Sequence, residues 1–145
     1  MSADENKAVV RKYYEQLWNH AEVALIEACF APDVHIQGHY VGWDGLRDGL
    51  AEWRAAFPDI RHRVDHLVAE GDLVAAHIHF TGTHRGVFHE EGLGPWEPTG
   101  RSVDVREMNV FRLAEGKVVE AWAVWDKVTF AQQLGMDLPS AGTTG

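Results

Sequence analysis

The residues best placed to do chemistry are two carboxylates and an amide in the last third of the chain. Asp126 ends an apolar strand-like run, and Glu107 and Asn109 occupy alternate positions of the run before it. A carboxylate among apolar side chains loses hydration, so its pKa rises and it can exchange protons with a carbon acid. These residues therefore predict acid/base chemistry in an apolar pocket.

The turn between the two runs decides which side chains share a face. A two-residue turn at Glu115 and Gly116 pairs Ala114 with Lys117, and alternation then gives one face to Asp126, Glu107 and Asn109. The same face would carry Val105, Phe111, Glu120, Trp122 and Val124. We therefore expect Asp126 to point into a pocket with Trp122 and Val124 in its wall. A one-residue change in pairing would reverse this assignment.

Asp126 has an alternative role, because it directly precedes the helix-like segment 127–135. Aspartate is a favoured helix N-cap, and its charge suits the positive end of the helix dipole. Spacing alone does not decide between capping and proton transfer, so both hypotheses stand.

Three further residues are expected in the pocket. Tyr14 lies on the first predicted helix, His35 on the first predicted strand, and Trp53 on the apolar face of the third helix. Two of them have a structural alternative: Tyr14 as a partly buried tyrosine with its hydroxyl in water, and His35 as a residue of the rim.

Hydrophobic periodicity indicates the elements that position these residues. Ser2 and Glu5 have the spacing of a capping box at the start of the first helix. Helices are predicted over about 3–18, 22–30, 43–57 and 127–135, a strand over 33–40, and hairpins over 60–83 and 101–126. This order is typical of an α+β fold in which a curved, mainly antiparallel sheet wraps around N-terminal helices and leaves a conical pocket.

Four of the nine histidines could suggest a metal site. His62, His66, His77 and His79 share one face of the first predicted hairpin, with His62 opposite His79. The opposite face is the apolar one, so we expect the histidines on the outer face of the sheet, solvated or in an interface. We predict no metal and no other cofactor.

Composition and length limit the kinds of partner, the location and the number of domains that we expect. The chain has 145 residues and a net charge of −9, which disfavours nucleic acid. It lacks an apolar run long enough to span a membrane and a secretory signal, so we expect a cytoplasmic protein. One domain is predicted over 1–135, followed by a disordered tail over 136–145. Apolar residues on the outer sheet face predict a homodimer.

Several segments resemble the SnoaL-like polyketide cyclases, a family of the nuclear transport factor 2-like superfamily of α+β cone folds. The resemblance is carried by "VVRKYYEQLWN", "FAPDVHIQG", "GWDGLRDGLAEWRAAFPDI", "VAEGDLVAAHIHFTGTHRG", "PTGRSVDVREMNVFR" and "GKVVEAWAVWDKVTFAQQLG". It implies a cofactor-free intramolecular aldol ring closure on a bulky aromatic polyketide. It also implies an acid/base aspartate at Asp126, with Trp122 and other aromatic residues stacking on the substrate.

Two other functions stay open within this fold. An epoxide hydrolase or isomerase would resemble an Asp-Arg-Asp site around a water molecule, but Asp104 and Arg106 are predicted on the face opposite Asp126. The third hypothesis is a non-catalytic module for ligand binding or dimerisation.

Overall fold

The described residues form four α-helices, one π-helical segment and eight strands. The computed structural model describes residues 2–90 and 92–138. The helices are α1 (Ala3–Lys12), α2 (Leu25–Cys29), α3 (Gly42–Ala56) and α4 (Lys127–Leu134), and a π-helical segment over Tyr13–Trp18 continues α1. The strands are β1 (Phe30–Ile36), β2 (His39–Tyr40), β3 (Arg61–Glu70), β4 (Leu73–Thr83), β5 (Phe88–Glu90), β6 (Leu93–Trp96), β7 (Ser102–Ala114) and β8 (Lys117–Trp125).

The main sheet has six strands in the order β2-β1-β8-β7-β4-β3. β1 runs parallel to β8, and the other neighbours are antiparallel. The sheet is curved and unclosed, and the helices pack on its inner face. The predicted α+β class and cone-shaped fold are therefore confirmed. β5 and β6 form a separate hairpin within the connection from β4 to β7.

The first helix begins as predicted. The hydroxyl oxygen of Ser2 accepts a hydrogen bond from the backbone N–H of Glu5, and the Glu5 carboxylate accepts one from the backbone of Ser2, both at 3.1 Å. At Tyr13 the helix widens into its π-helical segment. Over this segment both Tyr13 and Tyr14 contact the ring of Phe111 on β7. π-Helical turns are often found at functional sites.

A β-bulge between β7 and β8 corrects one predicted face. Ala114 pairs with Lys117 as expected, but Leu113 pairs with Val118 and Arg112 with Glu120, so β8 has one extra residue. The alternation of β8 is reversed beyond this point. Ala121, Ala123 and Trp125 therefore face inward, and the predicted inward orientation of Glu120, Trp122 and Val124 is wrong. Val124 is 74% exposed.

A second bulge, in β3, corrects the predicted histidine face. Val64 pairs with Ile78 and His66 with His77, which leaves Asp65 as the extra residue. His62 therefore lies opposite Phe80 on the inner face and is buried. The predicted pairing of His62 with His79 on the outer face is wrong.

The remaining differences concern segment ends. The predicted strand over 33–40 is two strands, because Gln37 and Gly38 have positive φ angles and form a turn. Met136 and Leu138, at the start of the predicted tail, pack against the core. Positions 139–145 lie outside the described residues. Within the described part of the chain, no helix has the length and apolar character needed to cross a bilayer.

Candidate active site

A cavity of about 440 Å³ lies between the helices and the inner face of the sheet. Its wall is largely aromatic and includes Tyr13, Tyr14, Trp18, Phe30, Trp53, Phe80, Phe111 and Trp125. Its polar side chains are Gln37, His39, His62, Glu90, Glu107 and Asn109. An apolar cavity of this size with a few polar groups is suited to a small, bulky organic molecule.

Tyr14 and Asn109 form a buried polar pair in this cavity. The side-chain amide of Asn109 donates a hydrogen bond to the Tyr14 hydroxyl. Burial, assisted by the nearby negative charge of Glu107, raises the pKa of Tyr14, so the hydroxyl keeps its proton. Since Tyr14 accepts from Asn109, its own O–H can be donated to a molecule in the cavity.

Glu107 places a carboxylate on the same inner face. It is half-buried, and its charge contributes to the raised pKa values of both Tyr13 and Tyr14, after the larger effect of burial. Glu90, supplied by β5, is the other carboxylate among the described residues that line the cavity. A proton acceptor is therefore adjacent to the Tyr14–Asn109 pair.

His62 adds a neutral imidazole. Its ring lies 4.6 Å from the ring of Trp18 and 5.5 Å from that of Tyr14, centroid to centroid. Burial, with the positive charge of Arg54, lowers the pKa of His62 to about 3. Its Nδ1 has no hydrogen-bond partner among the described residues. A ligand could therefore bind this nitrogen without displacing a protein group.

Asn19 holds His62 in place. The Asn19 side chain donates to the backbone carbonyl of His62 at 2.8 Å and accepts from its backbone N–H at 2.6 Å. These two bonds fix the start of β3 against the end of the π-helical segment. Sequence reasoning missed both residues, since it placed His62 on the outer face.

The tryptophans divide between the two sides of the sheet. Trp53 lines the cavity as predicted, and its ring lies 5.6 Å from that of Trp125. Trp122 borders the cavity, but its ring lies 5.9 Å from Cζ of Arg112, on the outer face. Trp125 therefore supplies the aromatic surface that was predicted for Trp122.

Asp126 caps α4. Its carboxylate accepts from the backbone N–H of Thr129 at 3.0 Å and from the Thr129 hydroxyl at 2.6 Å. These hydrogen bonds lower the pKa of Asp126, whereas an apolar pocket would raise it. The carboxylate is not part of the described cavity lining, so its predicted placement in the pocket is wrong. The geometry supports the capping hypothesis, and the catalytic role of Asp126 stays a prediction.

The structure places five of the seven predicted pocket residues at the cavity and two away from it. The residues at the cavity are Tyr14, Trp53, Glu107, Asn109 and, at its border, Trp122. His35 does not, because its Nδ1 lies 2.8 Å from the carbonyl oxygen of Asp33 and its ring packs against Tyr40. Val124 is turned outward by the bulge in β8.

Solved structures share this fold over nearly the whole chain. AclR from Streptomyces galilaeus, a proposed hydroxylase, is 31% identical with a TM-score of 0.77, over 95% of this chain and 100% of its own. A SnoaL-like polyketide cyclase from Agrobacterium tumefaciens is 27% identical with a TM-score of 0.78, and the match covers 93% of this chain and 100% of that protein. TsrD from Streptomyces laurentii is 21% identical and has a TM-score of 0.82, and the match covers 93% of this chain and 98% of TsrD.

Sequence comparison agrees with the fold. A search of curated proteins found no match. The family model for SnoaL-like polyketide cyclases matches residues 8–134, which include the second half of α1, the other helices, the strands and the residues of the cavity. The chain therefore belongs to the SnoaL-like polyketide cyclase family.

Proposed function

We propose that the protein catalyses a cofactor-free, acid/base ring closure of a bulky apolar carbonyl compound, such as an aromatic polyketide. The observation that carries the proposal is the Glu107 carboxylate in an aromatic cavity, beside the Tyr14–Asn109 pair. Family membership supports the reaction class, and the cavity supports the substrate size.

The first step is proton removal. Glu107 takes a proton from the carbon next to a substrate carbonyl, and the bond's electron pair moves to the carbonyl oxygen. The Tyr14 hydroxyl, oriented by Asn109, donates a hydrogen bond to that enolate oxygen. A donor already in place for developing negative charge lowers the barrier, because it needs no reorganisation during the reaction.

The second step closes the ring. The enolate carbon attacks a second carbonyl of the same molecule, a carbon–carbon bond forms, and the attacked oxygen becomes an alkoxide. The protonated Glu107 then returns its proton to the alkoxide. The product is an isomer of the substrate and Glu107 is again ionised, so the step needs no oxidant or reductant.

The cavity wall orients the substrate. Trp53 and Trp125 offer adjacent rings against which a flat aromatic molecule can stack. Neutral His62 can hydrogen-bond a carbonyl or hydroxyl group of the substrate. Apolar surroundings also favour proton uptake by a carboxylate, which suits a general base.

Matched carboxylate variants test the proposal on an aromatic polyketide ester. Glu107→Gln should lower kcat by about 10²- to 10⁴-fold, because the amide cannot accept the proton. Glu120→Gln, on the outer sheet face, should keep the wild-type rate. If Asp126→Asn loses activity while Glu107→Gln keeps it, proton transfer is assigned to Asp126. Full activity in both variants would overturn the acid/base proposal.

A ligand-binding role without catalysis is the second candidate. His62 Nδ1 and Asn109 Oδ1 belong to residues that line the cavity, and both atoms lack hydrogen-bond partners among the described residues, which suits a polar group of any ligand. Tight binding of aromatic polyketides, measured by tryptophan fluorescence, with no conversion would support this role. The epoxide hydrolase alternative has less support, because Asp104 and Arg106 lie on the outer face.

A further inference from the structure

A cluster of metal-ligand side chains lies on the outer face of the sheet, opposite the cavity. Asp65, His77 and His79 each offer one ligand atom, and these atoms lie within 4.8 Å of one another. The bulge in β3 makes this possible, because Asp65 is the extra residue of that strand. All three side chains are half-buried.

Asp104 orients the ring of His79. The Nδ1 of His79 lies 2.8 Å from an Asp104 carboxylate oxygen, so this nitrogen carries the proton and donates. The lone pair of neutral His79 is then on Nε2, which lies 3.4 Å from Oδ2 of Asp65. A carboxylate behind a histidine in this way fixes the tautomer and orientation of many histidine metal ligands.

His66 stands behind His77 in a comparable position. The two rings are parallel within 7°, and their Nδ1 atoms are 3.1 Å apart. At this distance one nitrogen donates and the other accepts. With His77 as the donor, its Nε2 carries the lone pair and is available to a metal.

The geometry points to a binding site for one divalent transition-metal ion, such as Zn²⁺, formed by Asp65, His77 and His79. Nitrogen and carboxylate ligands lie about 2.0 to 2.2 Å from Zn²⁺, so tetrahedral ligand atoms are about 3.4 Å apart. Asp65 and His79 already have this separation. Arg63 donates from Nε to Oδ1 of Asp65 at 2.7 Å and from Nη2 to Oδ2 at 3.5 Å, so the metal would replace only the longer of the two contacts. Water completes the fourth position.

The sequence pattern alone did not indicate this site. It grouped His62 with the other histidines and gave no reason to include Asp65, whereas the bulge moves His62 inward and Asp65 outward. Because the site and the cavity lie on opposite faces of the sheet, the metal would act structurally. It would tie β3, the edge strand, to β4, and it would not enter the ring-closure reaction.

Isothermal titration of the full chain with Zn²⁺ tests the inference. We expect one ion per chain with a Kd in the low micromolar range or tighter, and a Tm raised by about 5 °C at saturating Zn²⁺. His79→Gln and His77→Gln should each weaken binding at least 10-fold. Asp104→Asn should weaken it by about 10-fold, although Asp104 does not touch the metal.

His89→Gln is the matched control, because His89 is an exposed histidine on β5, outside the cluster. It should leave the Kd unchanged. Co²⁺ binding to the wild type should give the intense visible absorption of a tetrahedral site, and His79→Gln should lose it. Binding weaker than millimolar, or equal weakening by His89→Gln and His79→Gln, would overturn the inference and indicate adventitious surface binding.

Discussion

Asn109 on β7 donates a hydrogen bond to the hydroxyl of Tyr14 on the π-helical segment, and both residues are buried in the cavity wall. The bond joins the sheet to the first helical segment at the place where Glu107 supplies a carboxylate. It therefore contributes both to stability and to the orientation of the proposed donor.

Replacing Tyr14 separates these two contributions. Tyr14→Phe removes the donor to the enolate and leaves the Asn109 amide without its acceptor. We expect kcat to fall by about 10²-fold or more, and the free energy of unfolding by about 1 to 3 kcal/mol. Steady-state kinetics and urea unfolding measure the two effects. Tyr40→Phe, at an exposed position, should change neither. Wild-type kcat in Tyr14→Phe would contradict the proposed donor.

The N-cap role of Asp126 predicts a stability effect. Asp126→Ala should lower the free energy of unfolding by about 0.5 to 2 kcal/mol. Asp126→Asn should keep most of the stability that the cap contributes, because asparagine also caps helices. The pKa of Asp126 is lowered in the folded state, so its contribution is present above about pH 4 and is lost as the pH falls below that. Urea unfolding at pH 7 and pH 3 measures this. An alanine variant as stable as the wild type at pH 7 would contradict the cap.

Buried His62 predicts a loss of stability in mild acid. Its pKa is about 3 in the folded protein and about 6.5 in an unfolded chain. Between these values the unfolded chain binds the proton and the folded protein does not. The free energy of unfolding should therefore decrease by roughly 1.4 kcal/mol per pH unit below pH 6.5 from this residue.

Urea unfolding at pH 7.5 and 5.5 can test this dependence. His62→Phe should reduce the slope, while His89→Gln, a substitution at an exposed position outside the cavity, should leave it nearly unchanged. An unchanged slope in His62→Phe would show that other groups cause the acid sensitivity.

The outer face of the sheet predicts a homodimer. Met108 is 57% exposed and pairs with Val124, which is 74% exposed, and Val110, two residues further along β7, is 38% exposed. Apolar residues grouped on one exposed face are typical of an interaction surface. We expect light scattering at micromolar concentration to give about twice the 16.2 kDa chain mass. Val124→Glu should shift the protein toward monomer, and a wild-type monomer under these conditions would contradict the prediction.

Much of the fold follows from local sequence. The capping box at Ser2, the two-residue turn at Glu115 and Gly116, and the alternation of β7 each depend on neighbouring residues, so the pattern predicted them correctly. The inward orientation of Glu107 and Asn109 was also predicted correctly, because the pairing of β7 with β4 contains no bulge and its alternation is uninterrupted. Tyr14 and Trp53 follow from helical periodicity in the same way.

Only the tertiary structure decided which residues of β8 and β3 face the cavity. A β-bulge adds one residue to one strand and reverses every side chain beyond it. Its position depends on how the strand packs against its neighbours and the helices, and no residue type in "KVVEAWAVWD" or "RHRVDHLVAE" marks it. For this reason Trp125 and His62 line the cavity, Val124 is exposed, and Asp65 joins His77 and His79 on the outer face.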